Sequence, residues 1–158
     1  MFVDADDLVS RRLVEHVNKF PHPNGYILTL GYEFNFRSKK MFMCDYFDKT
    51  CGTCAIFRFA ADDLPRDSEG EEDCRFLNYT AHHLWQGVAE AENRPLARLA
   101  FPGAVYVFNH SENLSNHYTK YGRRQRLARW LHSRSAKEEQ VAEFALGPYL
   151  GNGGYGQP

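Results

Sequence analysis

The chain predicts an α+β fold: a single domain with an antiparallel three- to four-stranded sheet and helices packed on one face. Three observations carry this. From Tyr26 to Phe36 every second residue is large and apolar (Tyr26, Leu28, Leu30, Tyr32, Phe34, Phe36), the period of a strand with one buried face. Two further strand-like runs follow after short polar connections, as in a meander. Around these runs, apolar residues recur at the three- and four-residue spacing of helices. A length of 158 residues is the usual size of one domain, and an aromatic content of 15% favours strands and large packed surfaces.

Asp4 or Asp6 is placed to cap a first helix striped by Val9, Leu13, Val17 and Phe20. Pro21 and Pro23 end it, and Asn24-Gly25 turns the chain into the long strand. Met41 to Phe47 reads as the return strand, Asp48 to Gly52 as a turn and Thr53 to Phe59 as a third strand. Cys74 to Glu92 has helical spacing, with Leu77, Leu84, Val88 and Ala91 near one face. Ala104 to Phe108 is a compact apolar run that predicts a fourth strand.

Beyond the polar turn at Asn109 to Asn113, Ser115 or Asn116 is placed to cap another helix, which Gly122 weakens. Ser135 with Glu138 three residues later forms a capping box for a last helix bearing Val141, Phe144 and Ala145, ended by Gly147-Pro148. The expected organisation is therefore one domain over residues 1–146 and a flexible Gly-rich tail over 147–158.

No run of about 18 apolar residues is present, so no membrane span is expected. The N-terminal stretch holds Asp4, Asp6 and Asp7 and no apolar core of a secretory signal, which predicts an intracellular protein. In that compartment the four cysteines are expected as thiols or metal ligands rather than disulfides.

The formal net charge is only −1, yet the charge is unevenly placed. Seven of the 19 Lys and Arg residues fall between His117 and Lys137 with no acid among them: Lys120, Arg123, Arg124, Arg126, Arg129, Arg134 and Lys137. Tyr118, Tyr121, Leu127, Trp130 and Leu131 are interleaved with them. Local positive charge attracts a phosphate backbone or an acidic protein surface whatever the total charge. Rings among the cations are able to stack on bases. In a nucleic-acid site, Arg123, Arg124, Arg126 and Arg129 would contact phosphates, and Tyr118, Tyr121 or Trp130 would stack. The competing structural expectation docks Leu127, Trp130 and Leu131 into the core, with arginine stems along the edge. The string YGRRQR (121–126) resembles short arginine-rich RNA-binding peptides in composition, over too few residues to define kinship. Ala61 to Asp73 reads as a solvated acidic loop with seven acids, matching the basic segment in number, so the two are expected to balance charge or to act as two poles steering one docking event.

Two other chemistries are legible. His110 and His117, with Lys120, supply the base, acid and cation of a small metal-independent ribonuclease-like site. Cys51 and Cys54, in a Cys-x2-Cys pair, with Cys74 and His82 make a plausible tetrahedral zinc set for an adaptor domain. CGTC resembles the thioredoxin-type motif in four letters only, and the strand-like run after it argues against redox catalysis. H-E-x-x-H, the zinc-deaminase pattern and the P-loop are absent. Gly151, Gly153 and Gly156 match G-x-G-x-x-G without a helix to follow. The sequence thus predicts a non-enzymatic binding protein that acts through the basic segment on nucleic acid or an acidic protein surface.

Overall fold

The computed structural model describes residues 1–64, 75–109 and 122–151, with the backbone alone at 123–126. The fold is α+β, a body of two sheets and several helices. In order along the chain come β1 (Leu8–Val9), α1 (Arg12–Lys19), β2 (Gly25–Ile27), β3 (Gly31–Asn35), β4 (Lys40–Cys44), α2 (Phe47–Thr50), β5 (Ala55–Phe57), α3 (Trp85–Ala91), β6 (Ala97–Arg98), β7 (Ala104–Phe108), α4 (Arg123–His132), β8 (Arg134–Ser135), α5 (Glu138–Phe144) and α6 (Gly147–Leu150). The larger sheet runs β1-β7-β3-β4-β8 and the smaller β5-β2-β6.

This corrects the expected antiparallel sheet of three to four strands. The larger sheet has five strands and is mixed, because β3 pairs β7 in parallel while β4 pairs both its neighbours antiparallel. The parallel pair is possible because β3 and β7 are separated by a long crossover through the smaller sheet and α3.

The predicted long strand is also divided. Gly25–Ile27 pairs β5 and β6, whereas Gly31–Asn35 pairs β4 and β7. Between them the backbone changes partners: Leu28 N–H donates to Cys54, and the carbonyls of Thr29 and Leu30 accept from Phe47 and Gly103. Gly31 permits the handover, since a Cβ there would lie 2.1 Å from the ring of Phe47, which is fully buried. Phe47 itself opens α2 instead of continuing the return strand.

Alternation along β3 sorts the two faces of the larger sheet. Tyr32, Phe34 and Phe36 face one side with Met41, Val105 and Val107, and α5, α6 and the link between them cover it through Phe144, Leu146, Tyr149 and Leu150. Gly31 and Glu33 face the other side, where Phe47 and Arg129 cover them. Helices therefore pack on both faces, not one. The second apolar cluster joins the smaller sheet to α1 and α3 through Leu13, Tyr26, Ile27, Trp85, Ala89 and Leu99.

Helix ends differ from the expected caps. Helix α1 begins at Arg12, whose N–H donates to Ser10 Oγ, so Asp4 and Asp6 serve elsewhere. Helix α5 starts at Glu138, with Gln140 Oε1 accepting from Lys137 N–H, because Ser135 is used by β8. The predicted helix from 74 to 92 is α3 preceded by 3-10 turns at Arg75–Asn78 and His82–Leu84. Gly147–Leu150 is helical. Cys74, the acidic segment from 65, and residues 152–158 lie outside the described residues.

Candidate partner-binding surface

Helix α4 carries the basic segment, and it is seated on the sheet by its polar side. Glu33, 1% exposed in the middle of β3, receives Arg129 on both carboxylate oxygens: Nε donates to Oε2 at 2.7 Å and Nη2 to Oε1 at 2.5 Å. The fork geometry of a guanidinium matches a carboxylate, and charge on both partners strengthens each bond. The guanidinium also lies 5.8 Å from the Phe42 ring centroid and 6.0 Å from that of Tyr46. Phe42 is the register partner of Glu33 on β4, so strand pairing and ion pair fix the same spot.

At the end of α4 the chain is tied a second time. Ser133 N–H and Oγ donate to Arg129 O, and Arg134 Nη1 donates to the carbonyls of Leu131 and Ser133. A cation on the last carbonyls suits the negative end of a helix. Arg134 and Ser135 then pair with Met41 and Lys40.

The opposite side of α4 is open. Leu127, Trp130 and Leu131 are 56%, 74% and 48% exposed. At about 100° per residue they occupy about a third of a turn, and Arg129 points away from their centre. The expectation that these three dock into the core is overturned. An ordinary surface helix buries its apolar stripe; here the stripe faces outward while an arginine faces inward.

Of the sequence-predicted residues, the structure brings together Arg129 and Trp130 on one helix, Arg129 bonded to the sheet and Trp130 exposed. Arg123, Arg124 and Arg126 are on the same helix. Tyr118, Lys120 and Tyr121 lie outside the described residues, as do His110 and His117 of the nuclease reading. Sequence reasoning missed Glu33. The alternation puts Glu33 on the face opposite Tyr32 and Phe34, where an acid reads as solvent-facing, so no local signal marked its burial.

The zinc set is not assembled among the described residues. Cys51, Cys54 and His82 do not bring their donor atoms within 4.8 Å of one another, and His82 Nδ1 lies 3.1 Å from Asp48 O. Cys51 and Cys54 are buried, which pushes the Cys54 thiol up to about 12 and Cys51 upward too. Cys51 Sγ instead donates to Asp7 Oδ2 at 2.9 Å, beside Thr53 Oγ1 at 2.6 Å. Asp7 also accepts from Val107 N–H, so this buried carboxylate ties the N-terminal segment to the Cys-x2-Cys turn and to β7. Burial raises the Asp7 carboxyl to about 6, and the two thiol and hydroxyl donors only partly offset it. Asp4 joins this group in space.

A third polar knot closes the base of the acidic segment. Asp63, near its start, meets Arg75, just after it, at 3.6 Å, and also pairs with Arg94 at 3.0 Å. Arg75 and Tyr79 both donate to Glu92 at the end of α3.

No helix among the described residues is long and apolar enough to cross a membrane. No protein-family model, curated protein or solved structure matches the chain.

Proposed function

We propose that this protein is a non-enzymatic binding module whose α4 docks on an acidic protein surface that contains an apolar groove. The observation that carries the reading is the outward stripe Leu127–Trp130–Leu131 on a helix held by Arg129. Apolar residues at i, i+3 and i+4 are the anchors by which a helix enters a groove. Trp and Arg are the residues most enriched among binding hot spots, and the arginines at 123, 124 and 126 supply charge complementarity to an acidic rim. Two exposed leucines favour a protein groove over a nucleic acid, because aliphatic side chains do not stack on bases. Arg129 is engaged with Glu33, which leaves the three earlier arginines to make the electrostatic contribution.

The test uses fluorescent probes titrated with the full chain at low and high salt: a synthetic acidic amphipathic peptide with Glu and Leu at helical spacing, and RNA and DNA oligonucleotides. Peptide binding that weakens on changing Trp130 to alanine, and again on changing Arg123, Arg124 and Arg126 to alanine, supports the reading. Oligonucleotide binding with a steep salt dependence, lost with the arginines but indifferent to Leu127 and Leu131, would replace the protein surface by nucleic acid.

A further inference from the structure

We infer that Glu33 is the positioning residue of the docking helix: its fork to Arg129 turns α4 so that Leu127, Trp130 and Leu131 face outward. The inference rests on the reading of α4 as a docking element, and it adds a residue on another strand that sets how that element is displayed. Apolar residues on a surface helix ordinarily drive the stripe toward the sheet. Something must oppose that drive. Within the described part of α4, Leu127, Ala128, Trp130, Leu131 and His132 are all exposed, and Arg129 alone is partly buried. On the sheet its guanidinium meets a carboxylate 1% exposed, two residues along β3 from the Gly31–Phe47 contact.

A buried carboxylate accepts a cation far more readily than an aliphatic side chain, so rotation of α4 about its axis to bury Leu127 or Trp130 would strand Glu33 without a charge partner. Glu33 thus works against the inward packing of the stripe. The tie at Arg134 and Ser135 fixes where α4 ends, and the fork between Glu33 and Arg129 is the contact within the helix that presents one side to the sheet.

A helix held in its binding orientation before the partner arrives binds more tightly than one that samples several. Apparent affinity scales with the fraction of the competent orientation.

The experiment compares wild type with the double variant E33Q/R129Q, which removes both charges together and leaves no buried charge unpaired. Backbone hydrogen exchange is followed at α4, with β3 and β7 as internal reference, and affinity is measured for the acidic amphipathic peptide. The expected result is exchange at least tenfold faster across α4, unchanged exchange in β3 and β7, and peptide affinity at least fivefold lower. A folded double variant whose α4 exchange and peptide affinity match wild type overturns the inference, while the docking reading survives if Trp130→Ala still abolishes binding. Should wild type not bind the peptide at all, the docking reading fails on its own, and unchanged α4 exchange would still overturn the positioning role. If the double variant does not fold, E33D, which keeps the charge and shortens the reach, is measured instead: faster α4 exchange supports the role and wild-type exchange overturns it.

Discussion

Arg129 and Glu33 lie 96 residues apart in sequence and meet through two hydrogen bonds of 2.7 and 2.5 Å on the inner side of α4. One residue further along, Trp130 is 74% exposed. A single helical step thus separates the side chain that anchors the helix from the one that the binding proposal places at its centre.

Breaking only one half of that pair is expected to be costly. Glu33→Gln or Arg129→Met leaves its partner buried without a counter-charge, a loss of about 3–5 kcal/mol. The double variant E33Q/R129M is expected to recover most of it, since neither charge remains. Urea unfolding of the two singles and the double checks this, and equal losses in all three would contradict it.

Changing the outward residues is expected to do the reverse. Leu127→Ala and Trp130→Ala at these exposed positions shift stability by about 0.5 kcal/mol or less. Each is expected to reduce affinity for the acidic peptide, Trp130→Ala by about tenfold or more. Thermal unfolding beside a binding titration separates the two effects.

The contrast shows how much was legible in the sequence. Period two in Tyr32, Phe34 and Phe36 correctly marked a buried sheet face, because alternation reports burial directly. It did not reveal that the run breaks at Leu28–Leu30, since the break depends on the Phe47 ring and the Gly103 amide, both distant in sequence. The compact run Ala104–Phe108 was read as a strand and is one. Its parallel pairing with β3 is a property of the crossover and has no local signature. The basic segment stood out by composition. Its orientation did not, because Leu127, Trp130 and Leu131 have the spacing of a core-facing stripe and only the position of Glu33 turns them outward.

Asp7 predicts a pH dependence. Its carboxyl is raised from 3.8 to about 6 in the folded chain, first by burial. Between those values the native state holds a proton that the unfolded chain has released, so raising the pH strips it and lowers stability. The contribution is present below about pH 4, is lost as pH rises through about 6, and amounts to about 3 kcal/mol. Asp63 and Glu92 are held below the usual carboxylate range and act in the opposite direction at more acid pH. The Asp7 effect is therefore read as the stability of wild type minus that of Asp7→Asn, which is expected to rise from pH 7 to pH 4 by up to about 3 kcal/mol. A constant difference across that range would contradict it.

The buried cysteines predict slow chemistry. Burial pushes Cys44 and Cys54 up to about 12 and raises Cys51 as well, so few thiolates exist at neutral pH. Titration with a thiol-specific chromogen is expected to leave these three unreacted in the native protein and to release all four of the chain's thiols in urea. Rapid native reaction at Cys51 or Cys54, located by peptide mapping, would contradict their burial.

Gly31→Ala tests the break in the predicted long strand. A methyl there would sit 2.1 Å from the Phe47 ring, and overpacking of this kind costs about 1–3 kcal/mol. The companion variant G31A/F47A is expected to lose less than the two singles combined, because the two sites share one contact. Strict additivity in urea unfolding would place the strain elsewhere.

The outward display of α4 is tested most directly by the fluorescence of Trp130. Of the chain's two tryptophans, Trp85 is 5% exposed and Trp130 is 74% exposed, so iodide quenching reports on the latter. Addition of the acidic amphipathic peptide is expected to shift the emission to shorter wavelength and to protect it from iodide, with both changes absent in Trp130→Phe. Saturable peptide binding that leaves emission and quenching unchanged would contradict the account, because the partner would then be seated somewhere other than on α4.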